Sequence, residues 1–128
     1  MDETTRLLGA ARDARKKARA DYSGYAVGAA LLTADGSIYQ GCNIESAAYP
    51  STICAERVAI FGAIADGAQN FRMLAIVTDD GGTPCGTCRQ VILEQCGTID
   101  IHVHALQSDT TEVYNAGDLL PRPFGGEK

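Results

Sequence analysis

Three cysteines in this chain of 128 residues have a spacing that can do chemistry: Cys54 and, after thirty intervening residues, the pair Cys85 and Cys88. They sit in two short segments, Thr52-Ile53-Cys54-Ala55-Glu56-Arg57 and Thr83-Pro84-Cys85-Gly86-Thr87-Cys88-Arg89-Gln90. Each segment lies where a turn is predicted to open a helix, with the cysteine in the first helical turn. A thiol there feels the positive end of the helix dipole and the free backbone N–H groups, which favour thiolate, the form that binds metal. Cys85 and Cys88, in Cys-x-x-Cys spacing, can give two ligands to one ion, and Cys54 would bring a third from the other helix. Zinc held by three protein ligands keeps a fourth tetrahedral corner open, which distinguishes a catalytic site from a structural one.

Glu56 follows Cys54 by two residues. Near a frayed helix start, its carboxylate can reach past the ion to the open corner without binding it. A non-ligand Glu beside a water activated by metal is the arrangement for metal-assisted hydrolysis, with Glu shuttling the proton. Three thiolates and one Zn²⁺ sum to −1, which works against deprotonating water at the ion. A guanidinium near the sulfurs would offset this, and Arg57 and Arg89 are the candidates by adjacency. An isolated Cys-x-x-Cys also occurs as a redox pair or as half of a closed zinc site. In the closed case a fourth ligand would come from Cys42, Cys96, His102 or His104, and the domain would be a zinc-stabilised scaffold without turnover.

The elements that must position these residues follow from periodicity. A helix is predicted over Thr4–Ala20, then a hairpin of strands Tyr25–Leu32 and Ser37–Asn43 around an Ala34-Asp35-Gly36 turn. From Ser51 the pattern becomes helical, with Ser51 or Thr52 as cap, Val58, Phe61 and Ala65 on one stripe, and Gly67 as terminator. Arg72–Thr78 reads as a buried strand, followed by a flexible Asp79-Asp80-Gly81-Gly82 turn and a helix over Cys85–Gln95 ended by Gly97. Ile99–Leu106 and Thr111–Tyr114 read as strands, and Asn115 as the cap of a short turn through Leu120. Strands alternating with helices predict an α/β fold, a three-layer α/β/α sandwich whose central sheet is mixed because of the hairpin. No repeat or linker interrupts the chain, so residues 1–128 are expected to form a single domain.

Composition narrows the function. Apolar residues make up 45% and charged residues 21%, as in a folded globular protein. The formal net charge is −5, and six of the eleven basic residues lie in the first nineteen positions, on one face of the predicted first helix. This leaves five basic against thirteen acidic residues for the rest of the chain, a balance that disfavours nucleic acid and phosphorylated ligands. There is no apolar run long enough for a membrane span and no secretory leader, so a cytoplasmic protein is expected. Five cysteines, an odd number, argue against a disulfide framework. Cys42 and Cys96 are expected to be packing thiols. His102 and His104, two apart on a strand, are expected to form an exposed or satisfied strand face and not to bind metal.

The joint pattern of Cys54-Ala55-Glu56 and Pro84-Cys85-x-x-Cys88 resembles the three-cysteine signature of zinc-dependent nucleobase deaminases. The similarity extends from Tyr22–Leu32 through Gly41–Tyr49 and both metal segments to Leu119-Leu120-Pro121 and Phe124, and it is to the cytidine deaminases of the small homotetrameric type. The resemblance implies a five-stranded sheet, one Zn²⁺ per subunit, and hydrolytic deamination of cytidine and 2′-deoxycytidine in pyrimidine salvage. It implies that Cys54, Cys85 and Cys88 hold the metal, that Glu56 moves the protons, and that Asn43 and Glu45 bind the ribose. Backbone groups near Ala55, Thr83 and Cys85 would meet the base edge. Phe124 would complete a neighbouring subunit's site in a homotetramer, with docking on its own chain's helix as the alternative, and Tyr49 would line an interface or the pocket. Tyr25 stands where the family usually has Phe stacked on the pyrimidine, and its added hydroxyl needs water or a partner. An aminohydrolase acting on a free base or a modified cytidine is the rival, and it would have no use for Glu45.

Overall fold

The computed structural model describes residues 2–126. Five strands, β1 (Gly28–Thr33), β2 (Ile38–Cys42), β3 (Phe71–Thr78), β4 (Asp100–Ala105) and β5 (Thr110–Asn115), form one sheet in the order β2-β1-β3-β4-β5. Only β3 and β4 pair in parallel. β1 is buried along its whole length, and its side chains alternate between two cores as strand geometry requires. Ala29 and Leu31, with Leu74, Ile76, Ile101 and Val103, face α2 (Ala55–Ala65) and α3 (Gly86–Cys96). Ala30 and Leu32, with Ala75 and Val77, face Leu7 and Ala11 of α1 (Glu3–Arg15). The result is the expected α/β/α sandwich with a mixed five-stranded sheet.

Strand direction decides where the helices begin. β1 is antiparallel to both β2 and β3, so β2 and β3 run the same way with β1 between them. α2 follows β2 and α3 follows β3, so both helices start at the same end of the sheet, the end where α/β folds carry their sites. α2 can lie close over the sheet because Gly41 has no side chain. A Cβ there would sit inside the α2 backbone, 2.6 Å from the Ala59 nitrogen.

Several boundaries differ from the sequence pattern for identifiable reasons. α1 stops at Arg15, not Ala20, because the next residues leave the helix to pair elsewhere: Arg19 donates to the Asn43 carbonyl and its own carbonyl accepts from Glu45. β1 begins at Gly28, not Tyr25, because the Asn43 amide takes backbone groups of Tyr25 and Val27 that a neighbouring strand would otherwise use. Ser51 and Thr52 do not cap α2. Tyr49–Ser51 form a 3₁₀ turn, Ile53 exchanges two hydrogen bonds with Ile44, and Cys54 is the N-cap.

The core face of α2 also differs. Ala55, Ala59, Ile60 and Ala63 are buried, whereas Phe61, on the predicted stripe, is 43% exposed and Ala65 is exposed. Asn115 does cap the last helix, α4 (Ala116–Leu119), accepting from the Gly117 N–H.

Replacing Gly41 with Ala is expected to force α2 off the sheet and destabilise the protein by about 1–3 kcal/mol or more, the usual cost of overpacking. Chemical denaturation of the variant measures this, and a midpoint equal to that of the parent would contradict the close approach.

Candidate active site

The converging helix starts bring the three cysteines together. Cys54 and Cys85 are the N-caps of α2 and α3, one residue outside each helix, while Cys88 lies inside the first turn of α3 and is fully buried. Their sulfurs lie within 4.8 Å of one another, with Cys54 and Cys85 at 3.8 Å. Tetrahedral zinc with sulfur at about 2.3 Å requires sulfurs roughly 3.8 Å apart, so the cluster fits a zinc ion. No other group of His, Cys, Asp or Glu among the described residues is so placed. Cys42, Cys96, His102 and His104 are therefore not part of it, which leaves a closed four-ligand site without its fourth protein ligand. His104 is instead buried on the sheet, with Nδ1 at 2.8 Å from the Thr111 hydroxyl, and Cys96 packs against the larger core. None of the five cysteines is in a disulfide.

The protonation pattern suits metal capture. The Cys54 thiol is pulled down to about 5, first by the hydrogen bond from Cys88 and then, against burial, by Arg57, whose Nη2 lies 3.4 Å from the sulfur. Cys88 is pushed upward because it donates to that thiolate and is buried. The Arg57 Nε is buried with no hydrogen-bond partner, and Nη2 makes the contact with the Cys54 sulfur. Arg89, the other candidate by adjacency, does not touch them. Its guanidinium donates to the Pro84 carbonyl at 2.7 Å, the Thr83 hydroxyl at 2.9 Å and the Leu119 carbonyl at 3.2 Å, tying the tail to the start of α3.

Glu56 is 5% exposed and lines, with Cys54 and Cys85, a pocket of about 260 Å³. Burial, reinforced by the Cys54 charge, raises its carboxyl to about 7, so it can both hold and release a proton near neutrality. Asn43, Glu45, Tyr25, Ala55 and Thr83 line the same pocket. Asn43 and Glu45 lie beyond the end of β2, and both carry local bonds. Asn43 accepts from the Val27 N–H and donates to the Tyr25 carbonyl. Glu45 accepts from the Tyr22 and Ser23 N–H groups and the Ser23 hydroxyl, which hold it ionised below the usual carboxylate range. No Lys or Arg lines the pocket.

Phe124 is not in the pocket. Its backbone is clasped by the Gln90 side chain of α3 in two hydrogen bonds of 3.0 Å, while its ring is 88% exposed. Tyr49, also exposed, lines a neighbouring hollow with Tyr22, Ser23 and Glu45.

Residues 1–105 match the family model described as the cytidine and deoxycytidylate deaminase zinc-binding region. The chain belongs to the cytidine deaminase family. It is 45% identical to the cytidine deaminase of Sporosarcina psychrophila, over 98% of this chain and 93% of that one. It is 42% identical to that of Halalkalibacterium halodurans, over 94% and 93%. The crystal structure of cytidine deaminase from Burkholderia pseudomallei superposes with a TM-score of 0.89 at 43% identity, covering 97% of this chain and all of that one. Family membership makes the chain a zinc-dependent aminohydrolase, and among its described residues no helix is long and apolar enough to cross a membrane.

Ser23, which lines the pocket, and Asp80, which lies outside it and accepts from the Tyr25 hydroxyl, had no predicted role. The Asp79–Gly82 turn, expected to be flexible, is in fact held at several points: Arg15 to Asp79, Thr78 to the Gly81 N–H, and Tyr25 to Asp80.

In metal-free protein, the alkylation rate of Cys54 should rise through about pH 5 and then level off, because thiolate is the reacting form. Cys96, pushed up to about 12 by burial, should stay unreactive over the same range. Arg57→Ala should move the Cys54 midpoint upward. Mass-spectrometric counting of labelled sites against pH checks this, and a midpoint near 8.5 in the parent would refute it.

Proposed function

We propose that the pocket deaminates cytidine and 2′-deoxycytidine to the corresponding uridines with release of ammonia. Cys54, Cys85 and Cys88 hold the zinc, and Glu56 is the proton carrier. The observation that carries this reading is the combination of three sulfurs within 4.8 Å of one another with a buried, non-ligand carboxyl raised to about 7 in the pocket that Cys54 and Cys85 line. Bound zinc supplies the Lewis acidity that lets water act as a nucleophile near neutral pH.

Glu56 takes one proton from the attacking water and delivers it to N3 of the base as the oxygen bonds to C4. It then takes the remaining hydroxyl proton and gives it to the departing amine, so the C4–N4 bond breaks as the C4 carbonyl forms. Both protons of the water are thereby accounted for, one on N3 and one in ammonia. Arg57 draws charge from the Cys54 sulfur and offsets the excess negative charge of three thiolates.

Glu45, ionised and with acceptor capacity left over, binds a sugar hydroxyl together with Asn43, whose bonds to Tyr25 and Val27 hold its amide in place. The Tyr25 ring forms a wall against the base, and Ala55, at the start of α2, lies at the base edge. A pocket lined by carboxylates and without a basic residue suits a neutral nucleoside better than a nucleotide. A role in nucleoside salvage, in the cytoplasm, by residues 1–128 acting as one catalytic domain completes this reading. The exposed ring of Phe124 and the exposed apolar face of α2 support a homotetramer in which Phe124 completes a neighbouring site.

Glu56→Gln should keep one zinc per subunit by elemental analysis and lose about 10²–10⁴-fold in turnover, the usual worth of general acid–base catalysis. A variant with near-parental kcat would rule out the proposed role. Glu45→Ala should raise KM for cytidine by about 10- to 100-fold, matching the loss of one or two charged hydrogen bonds. An unchanged KM in an ultraviolet assay would instead favour a substrate without ribose.

A further inference from the structure

Tyr25 is tied into the pocket at three points. Its N–H donates to the Ser23 hydroxyl at 3.0 Å, its carbonyl accepts from Asn43 at 2.8 Å, and its phenol donates to Asp80 Oδ1 at 2.6 Å. The same Asp80 oxygen accepts from the Gly82 N–H at 3.0 Å. The ring therefore spans the pocket mouth, from the Ser23–Glu45 end to the loop that leads into Cys85. Both ends of this span are bolted to one guanidinium. Arg15 donates from Nε to the Ala26 carbonyl at 3.1 Å and from Nη2 to Asp79 at 2.6 Å, fixing the residues next to Tyr25 and next to Asp80. Gly82 leaves room for the phenol, since a Cβ there would lie 2.7 Å from the Tyr25 oxygen.

We propose that Asp80 is a positioning residue. By accepting the Tyr25 hydroxyl it holds the ring as a fixed wall of the nucleoside pocket, so that the clasp tightens binding of the pyrimidine nucleoside without taking part in the chemical step. The proposal rests on the functional reading above, because it requires that this pocket receive the nucleoside. An unclasped ring on an exposed loop keeps its rotational freedom and must be ordered when the ligand enters, which weakens binding. A clasped ring is already in place. The phenol is partly buried, and burial together with the Asp80 bond raises its pKa, so the donor stays protonated across the working range. Asp80 is held ionised by the same bond and by the Gly82 N–H.

The experiment compares the zinc-loaded parent with Tyr25→Phe, Asp80→Asn, Asp80→Ala and the Tyr25→Phe/Asp80→Ala double variant. The readouts are steady-state kinetics with cytidine and calorimetric affinity for uridine, the product, which binds without reacting. Tyr25→Phe and Asp80→Ala are each expected to raise KM and the uridine Kd by about 3- to 10-fold, with kcat within about twofold. The double variant should be no weaker than the weaker single. Asp80→Asn, which keeps the acceptor and the loop bond to Gly82, should retain most of the affinity even if Asp80→Ala folds poorly. Parental affinity in Tyr25→Phe, additive losses in the double variant, or a fall in kcat instead of affinity would overturn the clasp while leaving the assigned reaction intact. A parent that neither deaminates cytidine nor binds uridine would overturn the functional reading and the clasp with it.

Discussion

Three sulfurs from two helix starts must meet within a few ångströms, and most of the fold can be understood as the means of arranging this. A helix that follows a strand begins at that strand's C-terminal end, so two such helices converge only if their strands run the same way. β2 and β3 do, with β1 threaded between them in the opposite sense. The glycine at position 41 then sets how low α2 lies, and with it the height of Cys54 above the sheet relative to Cys85. Placing Cys54 and Cys85 at N-caps with extended backbone angles, not within the helices, turns both thiols toward the gap between the helix ends.

The same end of the sheet receives the segments that wall the pocket. Because β1 is antiparallel to its neighbours, its N-terminal approach, residues 22–27, arrives beside the C-terminal ends of β2 and β3. The polar contacts there are mostly side chain to backbone: Asn43 to residues 25 and 27, Glu45 to residues 22 and 23, and Arg15 to residue 26. They replace the ladder bonds that the strand gives up on leaving the sheet, so the segment has defined positions without regular structure. Glu45 therefore has two tasks, holding the turn at Ser23 and presenting a carboxylate to the pocket.

Much of this was legible in the residues. The Cys-Ala-Glu and Pro-Cys-x-x-Cys spacing identified the metal cluster and its attendant carboxyl, because ligand chemistry tolerates few residue types and the spacing is local. The hairpin at Asp35-Gly36 and the Asn115 cap were equally readable, being decided by short-range geometry. What failed depended on long-range pairing. Nothing near Arg19 signals that it will pair with the chain beyond β2, yet that pairing ends α1 early. Ser51 and Thr52 are better caps by type than Cys54, but the bridge between Ile44 and Ile53 takes the preceding residues first. The Asp79–Gly82 turn looks loose by composition, yet besides its local bonds it is held by Arg15 and Tyr25, more than fifty residues away.

The misplaced face of α2 has a different cause, and it bears on assembly. This helix is apolar nearly all round, so periodicity gives no decisive stripe, and the larger side chains, Val58 and Phe61, attract the assignment to the core. Close approach over Gly41 requires small residues at Ala55 and Ala59, so these, with Ala63 and Ile60 beside them, take the inner face and the bulkier Phe61 and Ile64 are turned outward, about 40% exposed. A helix that must lie low to deliver a metal ligand thus leaves an apolar outer surface. A second copy of the chain covering that surface would remove it from water, and Phe124, with its backbone clasped to α3 and its ring outward, is held in the posture such a contact requires. On this argument, the apolar surface that the proposed homotetramer would cover arises from the same packing that brings Cys54 to the other two sulfurs.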